Sequence, residues 1–329
     1  MDLVKGTLCF CRSGKKVEEC CIDFDSPVAP EIQMKMRYKY RHLKDDDEII
    51  ELARQTQEGI ELDTYTITDE DLQYMKRCSA IIAEKTNMDI FHELFSTEYV
   101  VISRYEDDIK QRKTRDKDKD INRLAVNFVS NAKLFIDFLE NFVEEKYPES
   151  FTEWKELQSR FFDERYEYAI MYHLRNHVQH VGLPIRVINK KLIEMDGEEK
   201  AAVEFCLSKK DLLEDKKLNK HAKERISKME MADDNISFMP LVQEYSGMIQ
   251  ALYMLALSLY YKHYKVELRE LEEYFTRRGF VERIYTARVK KKNYFNGTLN
   301  GIKLTPLYGR ADIYNLYMEL EKAGVIKVV

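Results

Sequence analysis

The chain has 329 residues, 44% of them hydrophobic, and a formal net charge of -5. This hydrophobic content excludes a globally disordered chain. The negative net charge excludes nucleic-acid binding through overall charge, so any contact with RNA or DNA must use local basic patches. Gly and Pro are scarce, at 11 and 6 residues, whereas Glu, Lys, Leu and Tyr are abundant. The composition predicts a mainly α protein with long helices.

The longest apolar run covers residues 248–261 and is interrupted by Gln250 and Ser258. It is shorter than the roughly 18 to 20 apolar residues that span a bilayer. We therefore predict a buried central helix and no membrane contact. The N-terminal residues are charged and Cys-rich where a signal peptide would be apolar, so we expect a cytoplasmic protein.

Four of the six cysteines lie within the first 21 residues. In a reducing compartment, such a cluster indicates a metal rather than disulfides. Two close pairs across a short Ser-Gly turn can give four thiolates to one tetrahedral, structural zinc ion, with no open position for catalysis. The alternative is a reduced cluster without metal. The predicted zinc ligands are Cys9, Cys11, Cys20 and Cys21, and the predicted buried thiols are Cys78 and Cys206.

Residues 9–21 resemble the SEC-C motif, a small zinc-binding module named from the C-terminus of the bacterial translocation ATPase. All four cysteines match its pattern, as do Ser13, Gly14, Lys15 and Lys16. The departures are Arg12, where the family usually has Gly, Val17, where it has an aromatic residue, and Glu18-Glu19, where it is basic. The resemblance implies a structural zinc and a docking surface. The departures weaken a role in contacting nucleic acid. We delimit this module as residues 1–26.

Residues 27–120 form the next predicted region, which is helical. It opens with a Pro-containing linker at 27–30 and a basic, Tyr-bearing stretch at 35–41, which is either a solvated helix face or an RNA contact. The acidic residues 45–48 predict a helix start. Helical patterns follow at 69–85 and 90–109. Residues 107–120 alternate basic and acidic groups, so we treat them as an exposed divider, either a loop or a frayed helix end.

Residues 121–278 are predicted to form a helical bundle. A long amphipathic helix ends before Pro148 and packs as an antiparallel partner of a second helix. The second helix begins near Thr152 and either runs unbroken to Val181 or breaks near Phe161-Phe162. A β-hairpin is inserted at 185–207, with its turn at Asp196-Gly197. Helices resume at 209–231 and from Pro240 to about Arg278. The apolar positions that define the first helix are Ile121, Leu124, Phe128, Phe135, Leu139 and Phe142.

The C-terminal region, residues 279–329, is predicted to be small, basic and α+β. Gly279 ends the preceding helix. Residues 283–297 combine β-forming residues with a basic cluster, which either tracks a phosphate backbone or is an ordinary exposed strand. Residues 311–322 are predicted to form a closing helix.

Residues 168–184 predict the end of a helix with an unusual polar face, since Gly182 and Pro184 stop a helix near Val181. At about 100° per residue, the helix has two arcs. The apolar arc, expected to face the core, contains Ile170, Met171, Leu174, Val178 and Val181. The second arc contains Arg165, Tyr168, Tyr172, Arg175, Asn176, Gln179 and His180. A solvated face of this chain would carry mainly Glu and Lys, so we interpret the second arc as a site.

Arg175 and His180 are five positions apart, which places them about 140° apart around one helix. They border one arc but do not converge easily on a small group within one protomer. Two such helices related by a two-fold axis would line one shared cleft with both residues. The spacing therefore predicts a homodimer.

Arg175-Asn176 followed by His180 near a helix end resembles the motif of the HEPN superfamily, and the long helices around it resemble the family's setting. The match covers roughly residues 121–278. The resemblance implies a HEPN-like bundle with a site at Arg175, Asn176 and His180. Many members are metal-independent endoribonucleases of toxin, antiviral and stress systems, which cut RNA through attack by the 2′-hydroxyl. Other members only bind nucleotides, RNA or proteins, and that alternative stays open.

The residue types agree with cleavage by an internal 2′-hydroxyl. Imidazole works as an acid or base near neutral pH, and the last helical turn favours the protonated form of His180, which suits the acid that protonates the leaving group. The guanidinium of Arg175 can stabilise the charged transition state. Asn176 is expected to orient a phosphate or ribose. Tyr172, which can stack on a base, and Gln179 are assigned to substrate binding.

The expected partners are RNA, a second copy of the chain, and a protein partner such as an antitoxin. No cofactor is expected for catalysis.

Three neighbours of the motif are given lesser roles. His173 and His177 are predicted to be packing or cap residues, and Glu167 is predicted to pair with an Arg or to help position the site.

Overall fold

The computed structural model describes residues 15–19, 40, 42–44, 46–56, 59–63, 68–111, 117–180, 184–185, 187–195, 198–218, 220–228, 234–280, 284–290 and 303–327. The fold is mainly helical, as predicted. The helices are α1 (Asp69–Gln111), α2 (Lys117–Lys146), α3 (Phe151–Glu164), α4 (Tyr166–His180), α5 (Lys209–Glu214), α6 (Lys220–Lys228), α7 (Phe238–Arg277) and α8 (Arg310–Lys322). The strands are β1 (Glu48–Thr56), β2 (Gly59–Asp63), β3 (Val187–Met195), β4 (Glu198–Ser208), β5 (Asn235–Ser237), β6 (Ile284–Lys290) and β7 (Lys303–Leu307). Short 3-10 helices cover Val17–Glu19 and Pro148–Ser150.

The chain divides into two compact units. The first comprises Met1–Ile82 and Val266–Tyr317, and the second comprises Ala83–Lys265 and Met318–Val329. The long helices α1 and α7 contribute residues to both units. Among the described residues, none of the helices is long and apolar enough to cross a membrane.

The first unit contains an antiparallel sheet with the strand order β2-β1-β6-β7. Its presence corrects one prediction, because the acidic residues 45–48 do not start a helix. Instead, Asp47 closes a turn in which its carboxylate accepts a hydrogen bond from the backbone N–H of Lys44 at 2.7 Å. Glu48 then begins β1, which pairs with β6 from Glu48↔Lys290 to Arg54↔Ile284. This pairing joins segments more than 200 residues apart, and local sequence pattern does not reveal it.

A buried carboxylate fixes the start of α1 in the first unit. Asp71 is fully buried and accepts hydrogen bonds from Nε and Nη2 of Arg278, each at 2.7 Å, and from the hydroxyl of Tyr274 at 2.7 Å. It also closes a capping box with Thr68, whose Oγ1 accepts from the Asp71 backbone N–H at 3.2 Å. Burial acts to raise the pKa of Asp71, but these hydrogen bonds, led by that of Arg278, outweigh it and hold the pKa well below its usual range.

The predicted end of α7 at Gly279 is confirmed. Gly279 has a φ of 72°, and the backbone N–H groups of Gly279 and Phe280 bond to the carbonyls of Thr276 at 3.1 Å and Phe275 at 2.8 Å. This is the Schellman pattern, in which a left-handed residue satisfies the last carbonyls of the helix. The rings of Phe275 and Phe280 lie 6.4 Å apart and supply the apolar contact that accompanies it.

The second unit is a helical bundle around α2 and α7. The amphipathic pattern predicted for α2 is confirmed, with Ile121, Leu124, Phe128, Phe135 and Leu139 buried and Phe142 half-buried. The apolar run 248–261 lies in α7, where it provides core residues such as Leu252, Ala256 and Tyr260. It is therefore a buried central helix, as predicted.

The helix predicted from Thr152 to Val181 is broken into α3 and α4. The break is at Arg165, which has an extended conformation (φ −116°, ψ 105°), slightly later than the predicted alternative near Phe161-Phe162. The predicted hairpin is confirmed as β3 and β4, paired from Val187↔Cys206 to Met195↔Glu198, and β5 adds a third strand. The Lys-rich segment predicted as one helix from 209 to 231 contains two, α5 and α6.

Candidate active site

Helix α4 carries the predicted motif, and its residues 168–171, 173 and 174 are buried. Of the predicted apolar arc, Ile170, Met171 and Leu174 are at most 2% exposed and face the core, whereas Val178 is half-buried and Val181 lies outside the described residues. The prediction for Tyr168 was wrong, because we placed it on the polar arc and it is fully buried. Its ring packs against those of Phe161, Tyr172 and Tyr245, at centroid distances of 5.9, 6.2 and 5.2 Å. Helical projection missed this burial because α3 and α7 cover a face that the projection left open.

Two predicted site residues are the exceptions to this burial. Within the fully described stretch 168–175, only Tyr172 and Arg175 are half-buried rather than buried. They are three positions apart, so they lie one turn from each other on the same side of α4. An aromatic ring and a guanidinium therefore share the part of this helix that reaches the surface.

Helix α4 extends to His180, and Val181 and Gly182 of the predicted helix end lie outside the described residues. The backbone of α4 includes Asn176, Gln179 and His180, but their side chains lie outside the described residues. The positions of these three groups relative to Arg175 stay a prediction from helical spacing. The motif thus occupies the last turns of a helix whose earlier residues are held in the core.

Lys133 of α2 adds a positive charge beside the candidate site that the sequence did not reveal. Its Nζ lies 5.4 Å from the centroid of the Tyr172 ring, within cation–π range, and is also paired with Asp137. The Phe162 ring meets Tyr172 edge-on at 5.6 Å. Lys133 is visible in the sequence as a polar position of α2, but only the packing of α2 on α4 shows which residue it faces.

His173 lies two residues before Arg175 and is buried, with 6% exposure. Packing was predicted for it and is confirmed, but the sequence did not identify its partner. Nε2 of His173 lies 2.8 Å from Oδ2 of Asp215, in the turn between α5 and α6. The other oxygen of Asp215 accepts a hydrogen bond from the backbone N–H of Lys217 at 2.9 Å. A buried imidazole therefore ties the motif helix to that turn.

The chain beyond α4 is anchored by a second buried contact. Asn122 of α2 donates from Nδ2 to the carbonyl of Ile185 at 2.9 Å and accepts from the Ile185 backbone N–H at 2.9 Å. Both residues are buried, and so is Pro184. Because the amide satisfies both backbone groups of Ile185, it holds the segment that leaves the motif helix.

The predicted pairing of Glu167 with an arginine is confirmed at the start of α4. Its Oε2 lies 3.4 Å from Nε of Arg165, and Arg165 also pairs with Glu244 of α7. The charge of Glu167 and its hydrogen bond, together with Glu244, raise the pKa of Arg165. This ion pair is at the opposite end of α4 from His180, so it supports the helix rather than the motif.

The predicted zinc ligands, Cys9, Cys11, Cys20 and Cys21, lie outside the described residues. Among the residues that are described, no group of three or more His, Cys, Asp and Glu side chains could hold a metal ion. Cys78 and Cys206 are buried, as predicted, and burial raises the pKa of the Cys78 thiol to about 12.

The two stretches for which RNA contact was one of two alternatives, 35–41 and 283–297, are described only in part. In the stretch 35–41, Tyr40 alone is described, and it is buried. In the stretch 283–297, residues 284–290 form β6, which pairs on both sides with β1 and β7.

Comparison with family models, with curated proteins and with solved structures finds no match to this chain. The likenesses to the HEPN and SEC-C families therefore depend on the motif residues themselves.

Proposed function

We propose that the chain is a metal-independent endoribonuclease of the HEPN type, with Arg175, Asn176 and His180 as its catalytic residues. One observation carries the proposal. Tyr172 and Arg175 are the two half-buried positions in residues 168–175 of α4, and that helix ends at His180. A buried helix that brings an arginine to the surface near its C-terminal end is a rigid support for such a site.

In the proposed reaction, the 2′-oxygen of a ribose attacks the adjacent phosphorus, and the bond to the 5′-oxygen breaks. The products are a 2′,3′-cyclic phosphate and a 5′-hydroxyl. His180, as the imidazolium, donates a proton to the leaving 5′-oxygen. The proton of the 2′-hydroxyl passes to water or to the imidazole of a second copy. Arg175 stabilises the negative charge that develops on the phosphate oxygens.

The remaining predicted residues bind the substrate. Asn176 orients the phosphate or the ribose, Tyr172 stacks on a base, and Gln179 contributes a hydrogen bond. Lys133, held over the Tyr172 ring, adds positive charge on the side from which RNA enters. The ring of Tyr172 and the guanidinium of Arg175 thus act from the same side of α4.

The proposed enzyme acts as a homodimer. Since Arg175 and His180 are about 140° apart around α4, they meet across a two-fold axis more readily than within one protomer. The N-terminal cysteines hold a structural zinc that serves docking and takes no part in the reaction. The setting is a toxin, antiviral or stress system in which a protein partner restrains the nuclease.

The test is cleavage of RNA in the presence of a chelator. The purified protein is incubated with total cellular RNA and EDTA, and fragment ends are mapped. We expect cleavage that leaves 5′-hydroxyl and cyclic phosphate ends, loss of cleavage in His180→Ala, and full cleavage in His263→Ala. His263 is a matched control because it is an exposed histidine on α7.

Two outcomes would count against the proposal. Cleavage that survives His180→Ala would overturn the mechanism. Absence of cleavage across varied RNAs would favour the alternative, a non-catalytic HEPN module that binds nucleotides, RNA or proteins. A DNA strand of the same sequence should remain uncut, because it lacks the attacking 2′-hydroxyl.

A further inference from the structure

The segment that packs beside α4 has an unusual charge for this chain. Overall, acidic residues outnumber basic ones, 58 to 53, yet residues 209–228 contain eight Lys and Arg and only four Asp and Glu. This segment includes α5, the turn after it, and α6. A local basic excess in an acidic protein is the feature that nucleic-acid binding requires.

Three of the four acidic residues of the segment pair with named side chains. Glu214 pairs with Lys210 at 3.9 Å, Glu224 pairs with Lys228 at 2.8 Å, and Asp215 binds His173. Four lysines form no ion pair within the described part of the chain, namely Lys216, Lys217, Lys220 and Lys223. We call these four residues the lysine turn. Lys216, Lys217 and Lys220 are exposed and Lys223 is half-buried.

The lysine turn is fixed to the motif helix rather than carried on a free loop. The His173–Asp215 contact joins α4 to the residue just before Lys216, and the backbone N–H of Lys217 bonds to the same carboxylate at 2.9 Å. Arg225 of α6 donates to the carbonyl of Glu164, at the end of α3. The buried side chains of Leu212, Leu218, Ala222 and Ile226 anchor the segment to the core. The four ammonium groups therefore extend from a support that is fixed to α4 at His173.

The surface of this segment also lacks the apolar centre of a protein interface. The large exposed hydrophobic residues of the described chain are on α1, α2, α7 and α8, and none is in 209–228. Protein interfaces are depleted of Lys at their core and enriched in aromatic residues and Met. A polyanion backbone, by contrast, is bound by exposed cations without apolar contacts.

We propose that the lysine turn binds the phosphodiester backbone of single-stranded RNA and leads it to α4. This inference rests on the proposed function for the identity of the ligand, and it adds a binding surface that the catalytic motif does not contain. Lysine ammonium groups bind phosphates as point charges, so this surface positions the RNA without reading its sequence.

The test measures RNA binding in a His180→Ala background, so that binding is separated from cleavage. A fluorescent single-stranded RNA of about 20 nucleotides is titrated at several salt concentrations between about 50 and 200 mM. The test variant replaces Lys216, Lys217, Lys220 and Lys223 with Ala. The control variant replaces four exposed lysines elsewhere, Lys76, Lys262, Lys265 and Lys322, and so makes the same change in net charge.

We expect the test variant to bind more weakly at low salt and its plot of log affinity against log salt to be shallower by about 2 to 3, since each phosphate contact contributes about 0.7. Replacement of the four lysines with Arg should restore both values. The control variant should match the parent. Equal affinity and slope in the test and control variants would overturn the inference, and so would absence of RNA binding by the parent.

Two further arms identify the ligand and separate the two proposals. The first arm compares RNA with a DNA strand of the same sequence and with an acidic polypeptide such as polyglutamate. If either of these bound more tightly than RNA through the same lysines, the RNA assignment would be overturned. The cleavage assay is run with the lysine variant as well. With the four lysine substitutions made in the wild-type chain, cleavage at the wild-type rate would refute the lysine turn while leaving the nuclease intact. Lysine-dependent binding without cleavage by the wild type would refute the nuclease alone.

Discussion

His173 and Asp215 form a partly buried polar contact, with Nε2 and Oδ2 2.8 Å apart and side-chain exposures of 7% and 17%. It joins the helix that carries the motif to the residue just before the lysine turn. The Asp215 carboxylate therefore helps to hold both α4 and the lysine turn in place, although it is not part of the HEPN-like motif.

Removal of this carboxylate should destabilise the protein. Asp215→Ala leaves a buried imidazole without its partner, which costs about 1 to 3 kcal/mol of unfolding free energy. Asp215→Asn keeps a hydrogen-bonding group at the same place and should cost less. Urea denaturation monitored by circular dichroism measures both. A midpoint for Asp215→Ala equal to that of the wild type would show that the contact contributes nothing.

Asp71 should make stability depend on pH in the acid range. Its pKa is lower in the folded than in the unfolded chain, so its contribution is present above the unfolded pKa, about 4, and is lost as pH falls through the folded pKa. Asp71→Ala also removes the buried carboxylate that pairs with Arg278, and should cost about 3 kcal/mol at neutral pH.

The control for Asp71 is Asp69→Ala, in the same first turn of α1 but exposed, which should cost less than about 1 kcal/mol. Denaturation midpoints are measured for each variant from neutral pH downwards. If Asp71→Ala retained the acid dependence of the wild type, another carboxylate would have to be responsible for it.

Replacement of Gly279 and of Gly247 with alanine should change the stability of the protein in opposite directions. Gly279 has a φ of 72°, where an L-residue is strained by about 1 to 2 kcal/mol, although no atom lies within 4 Å of an added Cβ. Gly247 is inside α7, also with open space around it, and its replacement should stabilise by about 0.5 to 1 kcal/mol. Thermal unfolding of the two variants measures the difference, and destabilisation by Gly247→Ala would contradict this account of the helix.

Features with a local physical cause were predictable from the sequence. Gly279 ends α7 because a glycine can take the left-handed conformation of the cap, and α2 shows its buried stripe directly in its apolar spacing. The hairpin of β3 and β4 followed from alternating residues around Asp196-Gly197. In each case the determining residues are close together in the chain.

Features that depend on distant partners were not predictable. The pairing of β1 with β6 joins residues 48–54 to 284–290, so the acidic stretch before β1 was mistaken for a helix start. Tyr168 was placed on the polar arc because a projection of one helix does not include α3 and α7. Lys133 and Asp215 reach α4 only through packing of separate elements. The residues of the motif are close together in the chain, whereas the residues that hold its helix in place come from distant segments.

Tyr172 should contribute to RNA affinity through its ring. Tyr172→Phe keeps the ring and its contacts with Phe162 and Lys133, so RNA binding and stability should match the wild type. Tyr172→Leu removes a stacking surface and should weaken RNA affinity by about tenfold, as base stacking is worth about 1 to 3 kcal/mol. Titration of labelled RNA in the His180→Ala background measures this. Equal affinity of the Phe and Leu variants would exclude stacking by Tyr172.

Mixing of two inactive variants tests the central claim most directly. Arg175→Ala and His180→Ala are each predicted to be inactive, and RNA cleavage is measured in EDTA before and after the two are mixed and allowed to exchange subunits. If Arg175 and His180 act on one RNA across a two-fold axis, the mixed dimer contains one of each and should recover a substantial fraction of wild-type cleavage. Recovery of no activity, in a mixture shown to contain mixed dimers, would contradict the shared cleft, and cleavage by either variant alone would contradict the assigned roles.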